Sequence, residues 1–154
     1  MDKGPEYIDM CAKARALQLI WRQERGDMYT VDMKTVCCWL PERPAVGELR
    51  NGYGISRCSP DVISISRIVW LPRLDQLMIL AQSPQATFER TAQAFFDWCA
   101  KDEPGLGPPT KRFGSLEQMW LAFVMLRGFH LKWDAAAGWR PIGCAGRAGD
   151  NPPG

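Results

Sequence analysis

The amino-acid sequence predicts an α+β domain: a small antiparallel or mixed sheet covered by about four helices and closed by a C-terminal β-hairpin. Three observations carry this. Apolar residues recur at spacings of three and four in several separate segments, as on helix faces. Two regions, 28–39 and 61–70, are rich in β-branched and aromatic residues. The order of these segments runs helix, strands, three helices, hairpin, without the strand–helix alternation of a parallel sheet.

Taking the elements in order, Tyr7, Met10, Ala14, Leu17 and Trp21 form the stripe of one amphipathic helix from Pro5 to about Glu24. Pro5 suits a first helical turn and Gly26 ends the helix. Met28–Met33 and Thr35–Trp39 read as two short strands. Residues 41–60 hold three prolines and three glycines and read as an irregular excursion. Asp61–Trp70 alternates and then turns apolar, as a strand entering a core does. Pro72 again suits a first helical turn, with Leu74, Leu77, Met78 and Ala81 facing inward until Ser83-Pro84.

A further helix is expected from about Gln85 to Ala100 on the face Phe88, Ala92, Phe95 and Cys99, widened by Phe96 or Trp98. Residues 101–114 read as a loop. Ser115 and Gln118 have the spacing of a capping box, ahead of a helix with Leu116, Trp120, Phe123 and Val124 on one face that stops near Gly128. Phe129–Trp133 alternates, and Trp139–Ile142 returns after the turn 134–138. One domain over 5–142 and a flexible glycine- and proline-rich tail over 143–154 follow.

Composition narrows function without naming it. Net charge is +2, with both signs interspersed, so no single-sign field points to duplex DNA or an acidic membrane. The N-terminal residues lack the pattern of a signal peptide and no window is apolar enough to span a bilayer, so the expected location is the cytoplasm of the cell in which the protein is made. The six cysteines include no CxxC pair and His130 is the only histidine, so no metal or other cofactor is expected and the cysteines read as small hydrophobes. The seven tryptophans imply either an aromatic core or an aromatic binding face.

No phosphate-binding glycine loop, GxSxG or HExxH occurs, so no catalytic residue is assigned. The polar run Arg73, Asp75 and Gln76 follows a core strand on the first turn of a helix, where unpaired N–H groups and a guanidinium could hold an anion. The more routine reading is that Asp75 complements the helix dipole while Arg73 is solvated. Trp120 with Phe123, and Trp133 with Trp139, have the character of stacking platforms, although at this spacing such rings are commonly core. Of these, Trp139 near the end of the ordered region is kept as a candidate contact.

The segments Trp70–Leu77 (WLPRLDQL) and Ser115–Met125 (SLEQMWLAFVM), then Lys132-Trp133-Asp134 and Gly138-Trp139, together with the opening Tyr7–Ala14, resemble a group of small uncharacterised proteins encoded by bacteriophages and prophages. The resemblance is spread over residues 7–139; the excursion at 40–60 and the tail after Ile142 depart from it. It implies origin rather than reaction. Small size, the absence of catalytic signatures and abundant Trp and Arg, both common at interface hot spots, lead to the expectation of a non-enzymatic accessory protein that binds a host or phage protein, or a small anionic ligand, for example to counter a host defence. Single-stranded nucleic-acid binding and a structural role in a larger complex are the alternatives, nucleic acid being less favoured. An enzyme built on Asp75 or Cys38 ranks last. Oligomeric state stays open.

Overall fold

Proline's fixed φ and missing N–H cost least in a first helical turn, and helix α1 (Pro5–Lys13) begins on Pro5. The computed structural model describes residues 1–22, 24–38, 68–103 and 107–142. The excursion expected at 41–60, most of the strand expected over 61–70, and the tail from 143 lie outside the described residues. The stripe Tyr7, Met10, Ala14 and Leu17 is fully buried, yet it is carried by two helices instead of the single one expected over 5–24. The chain breaks at Ala14 (φ −78°, ψ 60°) and resumes as α2 (Arg15–Ile20).

A side chain occupies the break. The Ala14 N–H is shared between the Met10 and Cys11 carbonyls, both at 3.1 Å. Cys11 O also accepts from Gln18 Nε2 at 3.0 Å. The same amide reaches across the fold: Nε2 donates to Trp70 O at 3.0 Å, and Oε1 accepts the Trp70 N–H at 2.8 Å. Trp21, just past α2, lies parallel to the Trp70 ring at 5.9 Å and 6°.

Trp70 belongs to the first sheet, whose strands are β1 (Met28–Thr30), β2 (Val36–Cys38) and β3 (Val69–Leu71) in the order β2-β1-β3, all antiparallel. Tyr29 pairs with Cys37 on one side and Trp70 on the other. The turn between β1 and β2 is fastened by Asp32, which accepts the Lys34 and Thr35 N–H groups and the Thr35 hydroxyl. These bonds hold its carboxyl well below the usual carboxylate range. Cys37 is buried and Cys38 half-buried, as alternation on a strand requires.

Pro72 ends β3 rather than opening a helix: it is fully buried, and α3 (Leu74–Ala81) starts two residues later with Arg73 at its N-cap. The next helix, α4 (Phe88–Ala100), is capped by Thr87 Oγ1 and begins after the Ser83–Ala86 turn, not at Gln85. Its inner face is Thr91, Phe95 and Cys99, whereas Phe88 and Phe96 are exposed. The loop expected over 101–114 contains one short helix, α5 (Pro109–Arg112).

Helix α6 (Leu116–Phe129) forms the centre of the core. Its Ser115 Oγ accepts the Gln118 N–H at 3.1 Å as expected, but Gln118 Oε1 turns back to Gly114 N–H at 2.9 Å, one residue earlier than a capping box would place it. Trp120 through Met125 are six consecutive buried residues. A helix apolar on every side is packed on every side; α1, α3, α4 and strand β4 (Leu131–Asp134) all pack against it. Leu116, expected inside, is exposed at the first turn. Phe95 stacks on Trp120 at 4.0 Å and 10°, and Phe123 meets both rings edge-on.

Helix α6 ends near Gly128, as expected. The helix runs on to Phe129, and His130 takes the left-handed conformation (φ 55°), its N–H bonding Met125 O. Asn, Asp and His tolerate this region better than most non-glycine residues. Reversal there leads directly into β4, which pairs with β5 (Gly138–Pro141) as the predicted closing hairpin. Asp134 accepts the Ala136 and Ala137 N–H groups across the turn. Among the described residues, six helices and two antiparallel sheets of three and two strands make an α+β fold.

Gln18→Ala removes the partners of the Trp70 N–H, the Trp70 carbonyl and one bond to Cys11 O, and is expected to lower the unfolding free energy by about 2 kcal/mol in urea denaturation. A second expectation concerns Asp2, whose carboxylate accepts from Ser115 Oγ, Gln118 Nε2 and the Gly4 N–H. Burial acts to raise its pKa, but these hydrogen bonds and the N-terminal ammonium outweigh it, and the carboxyl is held below its ordinary value. A carboxyl depressed on folding stabilises above its unfolded pKa of about 3.9 and ceases to as pH falls through its folded value. Asp2→Asn is therefore expected to be less stable than the unsubstituted chain at about pH 6, with the gap narrowing as pH falls below about 4. A gap of equal size at both ends of that range would exclude the linkage.

Candidate functional site

The residues singled out between β3 and α3 come together around a carboxylate that local sequence did not mark. Gly26 takes φ 90°, and the loop it turns delivers Asp27 into the interior, where it has no exposure. Asp27 Oδ2 accepts Trp21 Nε1 at 2.7 Å and the Glu24 N–H at 2.9 Å; Oδ1 accepts Gln76 Nε2 at 2.5 Å. Gln76 Oε1 accepts the Arg73 N–H at 2.9 Å, so one side chain caps α3 and holds the loop at once. The Arg73 guanidinium completes the ring: NH1 donates to Gly26 O at 2.8 Å and lies 3.8 Å from Asp27 Oδ1. Its Nε and NH2 form a two-pronged pair with Asp75 at 3.1 and 3.0 Å.

The electrostatics follow from that geometry. The hydrogen bond to Asp75 raises the Arg73 pKa, and the same bond lowers that of Asp75. Arg73, Asp75 and Gln76 are thus adjacent, as expected, and their polar atoms face this chain's own acceptors and donors. Chemically the cluster ties the 24–27 loop to the start of α3. Trp139 is elsewhere: on β5 it is half-buried, donates Nε1 to Met10 O at 2.9 Å and meets Trp133 at 5.0 Å. Lys13 Nζ stands 5.5 Å from the Trp133 ring on the same side of the molecule as α1.

A second polar cluster, missed in sequence, surrounds a shallow cleft. Trp98 of α4, Phe113 after α5, Leu126 of α6 and Leu131 of β4 supply apolar walls; Glu103, Arg112, Lys132 and Trp133 supply the polar ones. Arg112 NH1 lies 3.3 Å from Glu103 Oε2, and Lys132 Nζ is hydrogen-bonded to that same oxygen. The Arg112 guanidinium also rests 5.6 Å from the centre of the Phe113 ring. Two cations therefore share one carboxylate. Arg112 Nε and Trp133 Nε1 are buried without an acceptor, and among the described residues only the Trp70 indole N–H shares that condition. Glu103, Arg112 and Lys132 are separated by 9 and 20 residues and lie on three different segments, which no local motif signals.

Removing Asp27 strands a buried indole N–H, a backbone N–H and the Gln76 amide together. Asp27→Ala is expected to cost about 3 kcal/mol or more by chemical denaturation. Asp75→Ala removes only an exposed partner, and is expected to change stability by less than about 1 kcal/mol. Equal effects of the two substitutions would contradict the central position of Asp27.

No family model, curated protein or solved structure matches the chain.

Proposed function

We propose that the protein is a non-enzymatic accessory protein of the bacteriophage or prophage kind, acting by binding a host protein or a small anionic ligand, with counter-defence as one setting for that activity. The observation that carries this reading is the cleft beside α6. It combines aromatic walls, an excess of one positive charge over Glu103, and two buried donors that lack acceptors. An unsatisfied buried donor costs about 1–3 kcal/mol, so an incoming acceptor has more to gain there than at the Arg73 cluster, where the donors are already engaged. Arginine and tryptophan are also the residues most enriched where partners bind tightly.

Single-stranded nucleic-acid binding has less support. Base stacking needs open ring faces, and the six described tryptophans are buried or half-buried, with Trp120 and Phe123 inside the core.

The test is affinity capture from bacterial lysate, with both proteins and small anions in the eluate identified by mass spectrometry. The unsubstituted chain is expected to retain a specific protein or anion that an Arg112→Gln/Lys132→Gln variant of unchanged circular dichroism releases. Retention of the same species by both would remove the cleft from the function, and retention of nothing by either would count against a binding role.

A further inference from the structure

We propose that the cleft is a carboxylate-binding site whose internal occupant is Glu103, and that its ligand is a carboxylate on an apolar body. The proposal rests on the binding role stated above and names the ligand class for that site.

The charge count comes first. Glu103 Oε2 is the single acceptor for both the Arg112 and the Lys132 head groups, so one anion stands where two cations converge. These groups are partly withdrawn from water: the side chains of Arg112, Glu103 and Lys132 are 16%, 22% and 37% exposed. At such a site charge-assisted hydrogen bonds are stronger than in open solvent. The group already bound is a carboxylate, which fixes the chemistry that fits.

The donors left over point the same way. Glu103 meets Arg112 through NH1 and leaves Nε unpaired, although a guanidinium is shaped to grip both oxygens of a carboxylate through two parallel N–H bonds. The Arg73–Asp75 pair in this same chain shows the complete form, using Nε and NH2. Glu103 is thus an imperfect occupant. A carboxylate approaching from outside, free of the tether to α4, can take the fork geometry and offer an oxygen to Trp133 Nε1. Both donor atoms are covered, so it reaches them as the Glu103 arm withdraws. The apolar walls set the rest of the ligand: Trp98, Phe113 and Leu131 favour a flat or aliphatic body.

Benzoate serves as the free probe and an acetylated, amidated peptide with a single glutamate as the protein-borne one, both at constant ionic strength. The reporter is the Trp133 indole N–H resonance, identified by its loss in Trp133→Phe. Benzoate is expected to shift this resonance downfield, and Glu103→Gln to bind it roughly tenfold or more tightly, because the competing carboxylate is gone. Arg112→Gln in that background is expected to abolish the shift. Glu103→Asp, one methylene shorter, gives the same direction should Glu103→Gln fail to fold. A stronger response to the peptide than to benzoate assigns the carboxylate to a partner protein; a response to benzoate alone assigns it to a free small acid. An unmoved Trp133 resonance in folded Glu103→Gln, or equal affinity with and without Glu103, overturns the proposal. Capture from lysate that depends on Arg112 and Lys132 while benzoate and peptide both fail would overturn the carboxylate assignment and leave the binding role standing.

Discussion

Between Trp70 and Arg73 the backbone leaves a sheet and enters a helix, and four of its polar groups find their partners in side chains brought from elsewhere. Gln18 takes the Trp70 N–H and carbonyl, the buried Tyr7 hydroxyl donates to Pro72 O, and Gln76 accepts the Arg73 N–H. Buried backbone groups without partners are costly, so the positions of α1, α2 and α3 are constrained by this one junction. It also explains the break at Ala14: a continuous helix would place Gln18 differently, whereas the interrupted one lets its amide bridge Cys11 O and Trp70 O. Tyr7 is sealed in the process, and burial pushes its hydroxyl pKa far above the ordinary value.

Around that junction the core is organised by α6. A helix with buried side chains at every position from Trp120 to Met125 gains little from amphipathic patterning and depends on its neighbours. Both of its ends are therefore fixed by tertiary means. At the N-terminus, the Asp2 carboxylate adds to the Ser115 cap and complements the positive end of the helix. At the C-terminus, His130 reverses the chain in a left-handed conformation and its carbonyl accepts the Ile142 N–H, locking the hairpin to the helix end.

What could be read from sequence was whatever local spacing determines. The stripe from Tyr7 to Leu17, the Ser115 cap and the alternation leading to the 131–141 hairpin all follow from periods of 3.6 and 2. The exposed Leu116 and Phe88 show the limit of the same argument. A stripe says which residues can share a face, and only the packing decides where that face ends. Gly128 marks the helix end to within one residue, and His130, two residues on, makes the reversal the hairpin needs. Arg73, Asp75 and Gln76 were recognisable as a group because they fall within four residues at one helix start. Asp27, 49 residues from the Gln76 it holds, and Glu103, 29 residues from Lys132, were not, because their meaning exists only once the chain is folded.

The two polar clusters differ in one physical respect that decides how each is understood. Around Asp27 every oxygen has a donor and every arm of Arg73 has an acceptor, from α3, the 24–27 loop and Trp21. A network closed in this way rigidifies, and an outside ligand must break bonds as good as those it makes. Around Glu103 the count does not close: two cations face one carboxylate, with an indole and a guanidinium N–H left over. Such donors are rare in folded proteins because each is a standing cost. An acceptor supplied there from outside would recover what the folded chain leaves unmade.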